Sequence, residues 1–98
     1  MITMHPGEYL FLTYVEPHKI SCGELAGRLG LPLQVVEDLL AKEIALTAEM
    51  AVRLELVFDR SAMSWMDMQV AHDMTQARKK VDTATVRPFV FPARADAA

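Results

Sequence analysis

Gln34 stands between Leu33 and Val35, with Arg28 and Lys42 a few residues to either side. A carboxamide accepts and donates at once and so matches the edge of adenine, an apolar neighbour can touch a thymine methyl, and flanking cations can neutralise phosphates. Ser21, ahead of the same stretch, adds a hydroxyl of the kind that binds phosphate oxygens. The chemistry open to Ser21, Arg28, Leu33, Gln34, Val35 and Lys42, if the fold presents them together, is contact with double-stranded DNA, with Arg28 and Lys42 on phosphates and Gln34 on a base.

Other chemistries lack their residues. His5, His18 and His72 are far apart, with no acid or cysteine beside them at metal-ligand spacing. Cys22 is the single cysteine, which excludes an intrachain disulfide and a cysteine-rich zinc site. No nucleophile-base arrangement or glycine-rich phosphate loop is present. Glu37 and Asp38 are sequence neighbours, about a hundred degrees apart on a helix, and would not form a catalytic pair. The expectation is a binding protein, not an enzyme, with no metal and no other cofactor.

Turn signals divide the chain into five amphipathic helices that must position these side chains. Pro6 and Gly7 open the first, whose Leu10, Tyr14 and Val15 recur at helical spacing before Pro17. Ser21 with Glu24 has the capping-box pattern for a second helix carrying Leu25, Ala26 and Leu29, and Gly30 stops it. Pro32 suits the first turn of a third helix, in which Val35, Val36, Leu39 and Leu40 form an apolar face. Thr47 begins a fourth, with Met50, Leu54, Val57 and Phe58 on one side; Ser61 caps a longer fifth, which ends in Arg78, Lys79 and Lys80, where cations suit the helix dipole. Beyond it, Pro88 and Pro92 enclose Phe89, Val90 and Phe91 in what reads as an extended arm, frayed over its final residues 93–98.

Composition bounds the rest. Ninety-eight residues, 52% hydrophobic, make one domain with a real core. The expected division is a helix-turn-helix domain over 1–80, with its helix-turn-helix unit at 22–41, and an extended arm over 81–98. No apolar run approaches the roughly 18 residues of a membrane span. The first residues lack the order of a secretory signal, so a cytoplasmic location and no membrane partner are expected. The net charge of −3 has the wrong sign for indiscriminate binding to phosphate backbones.

The stretch at 22–41 meets the steric needs of a helix-turn-helix. Ala26 is small where the second helix of the unit crosses the first, and Gly30 sits at the turn, where positive φ favours glycine. Val36 and Leu39 face inward, while Leu25, Leu29 and Leu31 complete the corner. Together with the segments HPGEYL, SCGELAGRLGLP, LTAEMAVRLELVF and SWMDMQVAHDM, in that order, this resembles the HigA and VapI-type antitoxins of the Xre helix-turn-helix superfamily over residues 4–74. The resemblance implies an all-α, five-helix, lambda-repressor-like fold. It also implies a homodimer that places helix three in the major groove of its own operator and neutralises a cognate toxin, typically a basic endoribonuclease encoded beside it.

The chain departs from that family where DNA would lie. Cys22 stands where members often have a phosphate-binding Gln, and Leu33 to Asp38 stand where they often have Arg or Asn. Between residues 20 and 47, Arg28 and Lys42 are set against Glu24, Glu37, Asp38 and Glu43, a local balance of −2. An alternative is therefore a protein-interaction module with weakened DNA binding, its acidic face turned to a basic toxin. Arg53 matches a family arginine, and its spacing fits an ion pair with Glu49 one turn earlier. The apolar surplus in helix five and the arm points to a dimer interface at Trp65, Met66, Phe89 and Phe91; for Trp65, packing against helix four in the core is the reading its usual burial favours, and for the methionines core filling stands equally beside the interface. Residues 86–91 have the alternation of a strand that could cross a dimer axis or lie over its own core.

Overall fold

The computed structural model describes residues 4–93, so Met1 to Thr3 and the expected fraying of 94–98 lie outside the described residues. The architecture is all-α with five helices. Helix α1, Pro6–Leu10, runs on into a wider π-helical turn, Phe11–Val15. The others are α2, Cys22–Leu29; α3, Leu33–Leu40; α4, Ala48–Phe58; and α5, Ala62–Lys80. A 3-10 turn at Thr83–Thr85 begins the extended segment that follows.

Each helix starts where a side chain can satisfy its free N–H groups. The hydroxyl of Ser21 accepts from Glu24 N at 3.1 Å, that of Thr47 from Met50 N at 3.2 Å, and that of Ser61 from Ser64 N at 3.1 Å. The exception is α3, where Pro32 occupies the cap position and supplies no side-chain bond. Pro32 thus lies one position earlier than its sequence reading. It is the residue before α3, with ψ of 144°, and the helix begins at Leu33. The capping box expected at Ser21 is only half formed, because the Glu24 carboxylate turns along the helix to Arg28 instead of back to the cap. Gly30, at φ 66°, ends α2, and Asp59, at φ 54°, ends α4 in the same left-handed conformation, which a short polar side chain tolerates.

The helices enclose one core of Leu10, Val15, Leu25, Ala26, Leu29, Val36, Leu39, Leu46, Ala51, Leu54 and Trp65. Val36 and Leu39 face inward from α3 as their spacing requires, whereas Val35 and Leu40 are half-buried. Of the two readings of Trp65, the core is the one observed and its place at a subunit interface is corrected. It is 0% exposed and packs among Tyr9, Tyr14 and Phe58, with ring centroids 5.6, 6.3 and 6.5 Å away. A side chain so enclosed has no surface to offer a partner, and burial in its own core is where the largest apolar payload in the chain stabilises most. Met66 is half-buried, while Phe89 and Phe91 are 83% and 77% exposed. Residues 86–93 form no strand within this chain. No helix among the described residues is long and apolar enough to cross a membrane.

Candidate nucleic-acid interface

α3 is gripped at its C-terminal end. Gly7, in α1, lies so close that a Cβ built on it would stand 1.8 Å from the carbonyl oxygen of Leu39. Only glycine allows this approach of one backbone to another. The neighbouring residues complete the grip. His5 Nδ1 accepts from Gly7 N at 2.9 Å, capping α1, and Nε2 lies 3.0 Å from the carbonyl oxygen of Ile44, to which it donates. Those roles place the single proton of a neutral imidazole on Nε2. Burial pulls the pKa of His5 below its ordinary 6.5, with the nearby His72 adding to the effect and the bond to Ile44 opposing it. Glu8 reaches Lys42, just past α3, with 3.8 Å between carboxylate and ammonium. The segment HPGE is thus a clamp, not a reading surface.

A second brace sets the angle between α2 and α3. Arg53, from α4, donates through Nη1 to the carbonyls of Leu29 and Gly30 at 2.9 and 3.3 Å, and through Nη2 to Glu49 at 3.1 Å. The pair with Glu49 follows from its spacing; the contact with the end of α2 does not, since it joins residues far apart in sequence. A guanidinium there answers the carbonyls that the last helical turn leaves free. From behind, Gln69 of α5 accepts from Leu46 N at 2.7 Å and donates to Asp73 at 2.9 Å, holding the segment between α3 and α4.

With its far end and its rear held, α3 presents its N-terminal half outward. Leu33 is 48% exposed, Gln34 is exposed and Val35 half-buried. Ser21 and Arg28, on the preceding helix, are exposed as well. Yet the groups expected to meet DNA already have partners. Arg28 lies 3.5 Å from Glu24, Gln34 donates to Asp38 at 2.8 Å, and Lys42 is held by Glu8 at its side, while the Ser21 hydroxyl accepts the capping bond. Sequence reasoning placed Glu24 on this surface as a capping-box partner and as unfavourable charge, and Asp38 as unfavourable charge. Their i,i+4 spacing to Arg28 and from Gln34 was the available signal that they act as partners. Among the described residues, no group of three or more His, Cys, Asp or Glu side chains is placed to hold a metal ion.

No protein-family profile matches the chain. Individual relatives do. Virulence-associated protein I of Dichelobacter nodosus is 30% identical over 97 residues, which is 99% of this chain and 87% of that protein. The chain belongs to the HigA/VapI family of Xre-type helix-turn-helix antitoxins. Two solved structures agree. An addiction-module antidote protein of the HigA family from Coxiella burnetii superposes with a TM-score of 0.81 at 32% identity, over 91% of this chain and all of the other, 100%. The antitoxin HigA of Pseudomonas aeruginosa, solved with the higBA promoter, gives a TM-score of 0.82 at 28% identity over 91% and 100%.

Proposed function

We propose that this protein is a dimeric antitoxin-type repressor that places α3 in the major groove of its own operator and neutralises a partner ribonuclease toxin. The observation that carries the DNA reading is the division of α3 itself. Its C-terminal half is fixed by backbone packing against Gly7, while Leu33 and Gln34 at the other end are exposed, Gln34 bonded to Asp38 of the same helix. A helix rigidly held at one end and exposed at the other is what base reading in a groove about 12 Å wide demands. The HigA of P. aeruginosa, similar in fold and sequence, is a promoter-bound antitoxin.

Ser21, Arg28 and Lys42 are the proposed phosphate contacts and Leu33, Gln34 and Val35 the base contacts. With two cations per protomer, each shared with a carboxylate, a dimer neutralises about four phosphates at most, and the logarithm of affinity should fall with that of salt with a slope of about −4 or shallower. Fluorescence anisotropy with the DNA upstream of the coding sequence, against a scrambled duplex, tests this. Specific binding with a shallow slope is expected; no binding at low salt would sink the proposal.

Dimerisation has its own observation. Met63, Met66, Val70, Met74 and Ala77 recur at spacings of three and four along α5, and Met63, Val70 and Met74 are exposed. This is the stripe a helix presents to a second helix. It leads into exposed Val81, Val86, Phe89 and Phe91, so that the arm would extend the same interface. Two recognition helices would then stand about 34 Å apart, one turn of DNA. Val70→Glu should convert a dimer to a monomer in analytical ultracentrifugation. The acidic Glu37 and Glu43, both exposed, suit a basic toxin, and replacing both with alanine should weaken rescue of growth on co-expression with the neighbouring toxin gene.

A further inference from the structure

We infer that Asp38 is a positioning residue that makes Gln34 select adenine over guanine, a reading that rests on the proposed placement of α3 in the major groove. Gln34 and Asp38 are one turn apart on the same side of α3, and the amide nitrogen of Gln34 donates to Asp38 Oδ1 at 2.8 Å. A carboxylate offers only acceptors, so the group facing it must be Nε2 and not Oε1. The contact therefore settles which way round the amide stands.

It also changes what the amide has left to offer. A free glutamine carries two N–H donors and one carbonyl acceptor. With one hydrogen held by Asp38, Gln34 keeps one donor and one acceptor. The major-groove edge of adenine presents N7 as acceptor and the N6 amine as donor, which is the complement of that pair. Guanine presents N7 and O6, both acceptors, and would set O6 against the amide oxygen. Asp38 itself adds a negative charge near those two acceptors and disfavours guanine further. Leu33, exposed beside Gln34, suits the methyl of a thymine at an adjoining step. An aspartate that weakens attraction to phosphates thereby sharpens base choice.

Selection from a randomised duplex pool, followed by sequencing, reads base preference at every position of the bound site. Wild type should enrich adenine over guanine at one position per half-site by about ten- to a hundred-fold. Gln34→Ala should abolish that preference. Asp38→Ala, which frees the second hydrogen but leaves the donor-acceptor pair of the amide, should lower the ratio at least about threefold below that of wild type while raising affinity for all duplexes. Asp38→Asn retains an acceptor without the charge and should keep most of the preference, which loss of helix stability would not do. If Asp38→Ala keeps the wild-type ratio while Gln34→Ala loses it, Asp38 has no such role and α3 still reads DNA. If wild type binds no duplex in low salt, the placement of α3 itself fails and this inference falls with it.

Discussion

The two ends of α3 lie about two turns apart and are built to opposite rules. At Leu39 the helix backbone touches the backbone of α1, with His5, Gly7 and Glu8 committed to holding it; at Leu33 and Gln34 it is exposed to solvent, with Gln34 bonded to Asp38. Both ends carry residues by which the chain resembles its family or departs from it. The HPGE segment, the more distinctive in sequence, is the one with no surface role. A rare motif in a small helical protein can thus mark a steric requirement and not a contact, and the positions that differ are those left free by it.

Substitutions should separate the ends, and the largest effect belongs to the clamp. Gly7→Ala forces a methyl into the Leu39 carbonyl and should cost about 3 kcal/mol or prevent folding, since backbone cannot yield as a side chain can. Gly27→Ala, a helical glycine whose added Cβ would meet nothing within 4 Å, should instead gain about 0.5–1 kcal/mol. Urea denaturation of the two variants compares them directly; equal effects would show that α1 and α3 are not in backbone contact.

Arg53→Ala comes next. It removes two charge-assisted bonds to the end of α2 and should destabilise by about 2 kcal/mol, with the exposed pair to Glu49 adding little. Arg53→Lys should not restore stability, because a single ammonium cannot reproduce the fork to two carbonyls. Should lysine rescue fully in the same denaturation assay, Arg53 acts as charge alone.

A smaller effect is set by pH. The buried His5 has its pKa lowered, so the unfolded chain takes up a proton at a higher pH than the folded one does. Its contribution to stability is complete above the unfolded value of about 6.5 and is lost as pH falls through that value toward the folded one. A proton on Nδ1 would also face the Gly7 N–H that it now accepts. His5→Asn keeps a capping oxygen and cannot titrate. Between pH 7.5 and 5 its stability should fall less steeply than that of wild type, and parallel curves would remove His5 as the sensor.

Much of this architecture is legible in the sequence. Ser21, Thr47 and Ser61 as caps, Gly30 as the left-handed stop, and Val36 and Leu39 as the inward face depend on local spacing, which sequence displays. What it does not display is contact over long separations. Glu8 meets Lys42, Arg53 meets Leu29 and Gln69 meets Leu46 only because α1 packs on α3, α4 on α2, and α5 on α1 and α4. The same packing buries Trp65, for which burial tendency favoured the core without excluding an interface. It also selects, from methionines spread round α5, those that share an exposed stripe. The local charge balance is an objection to DNA binding when read from the sequence. In the structure it becomes a set of specific pairings, two of them visible as i,i+4 spacings.

On the proposed reading, the free end of α3 carries recognition and no stability. Gln34→Ala tests this most directly, measured in one preparation for urea stability and for affinity to the upstream duplex. Stability should stay within about 0.5 kcal/mol of wild type, as for an exposed surface position, while affinity should fall about tenfold or more. Unchanged affinity for that duplex, alongside wild-type stability, would contradict this division of labour and move DNA recognition off α3.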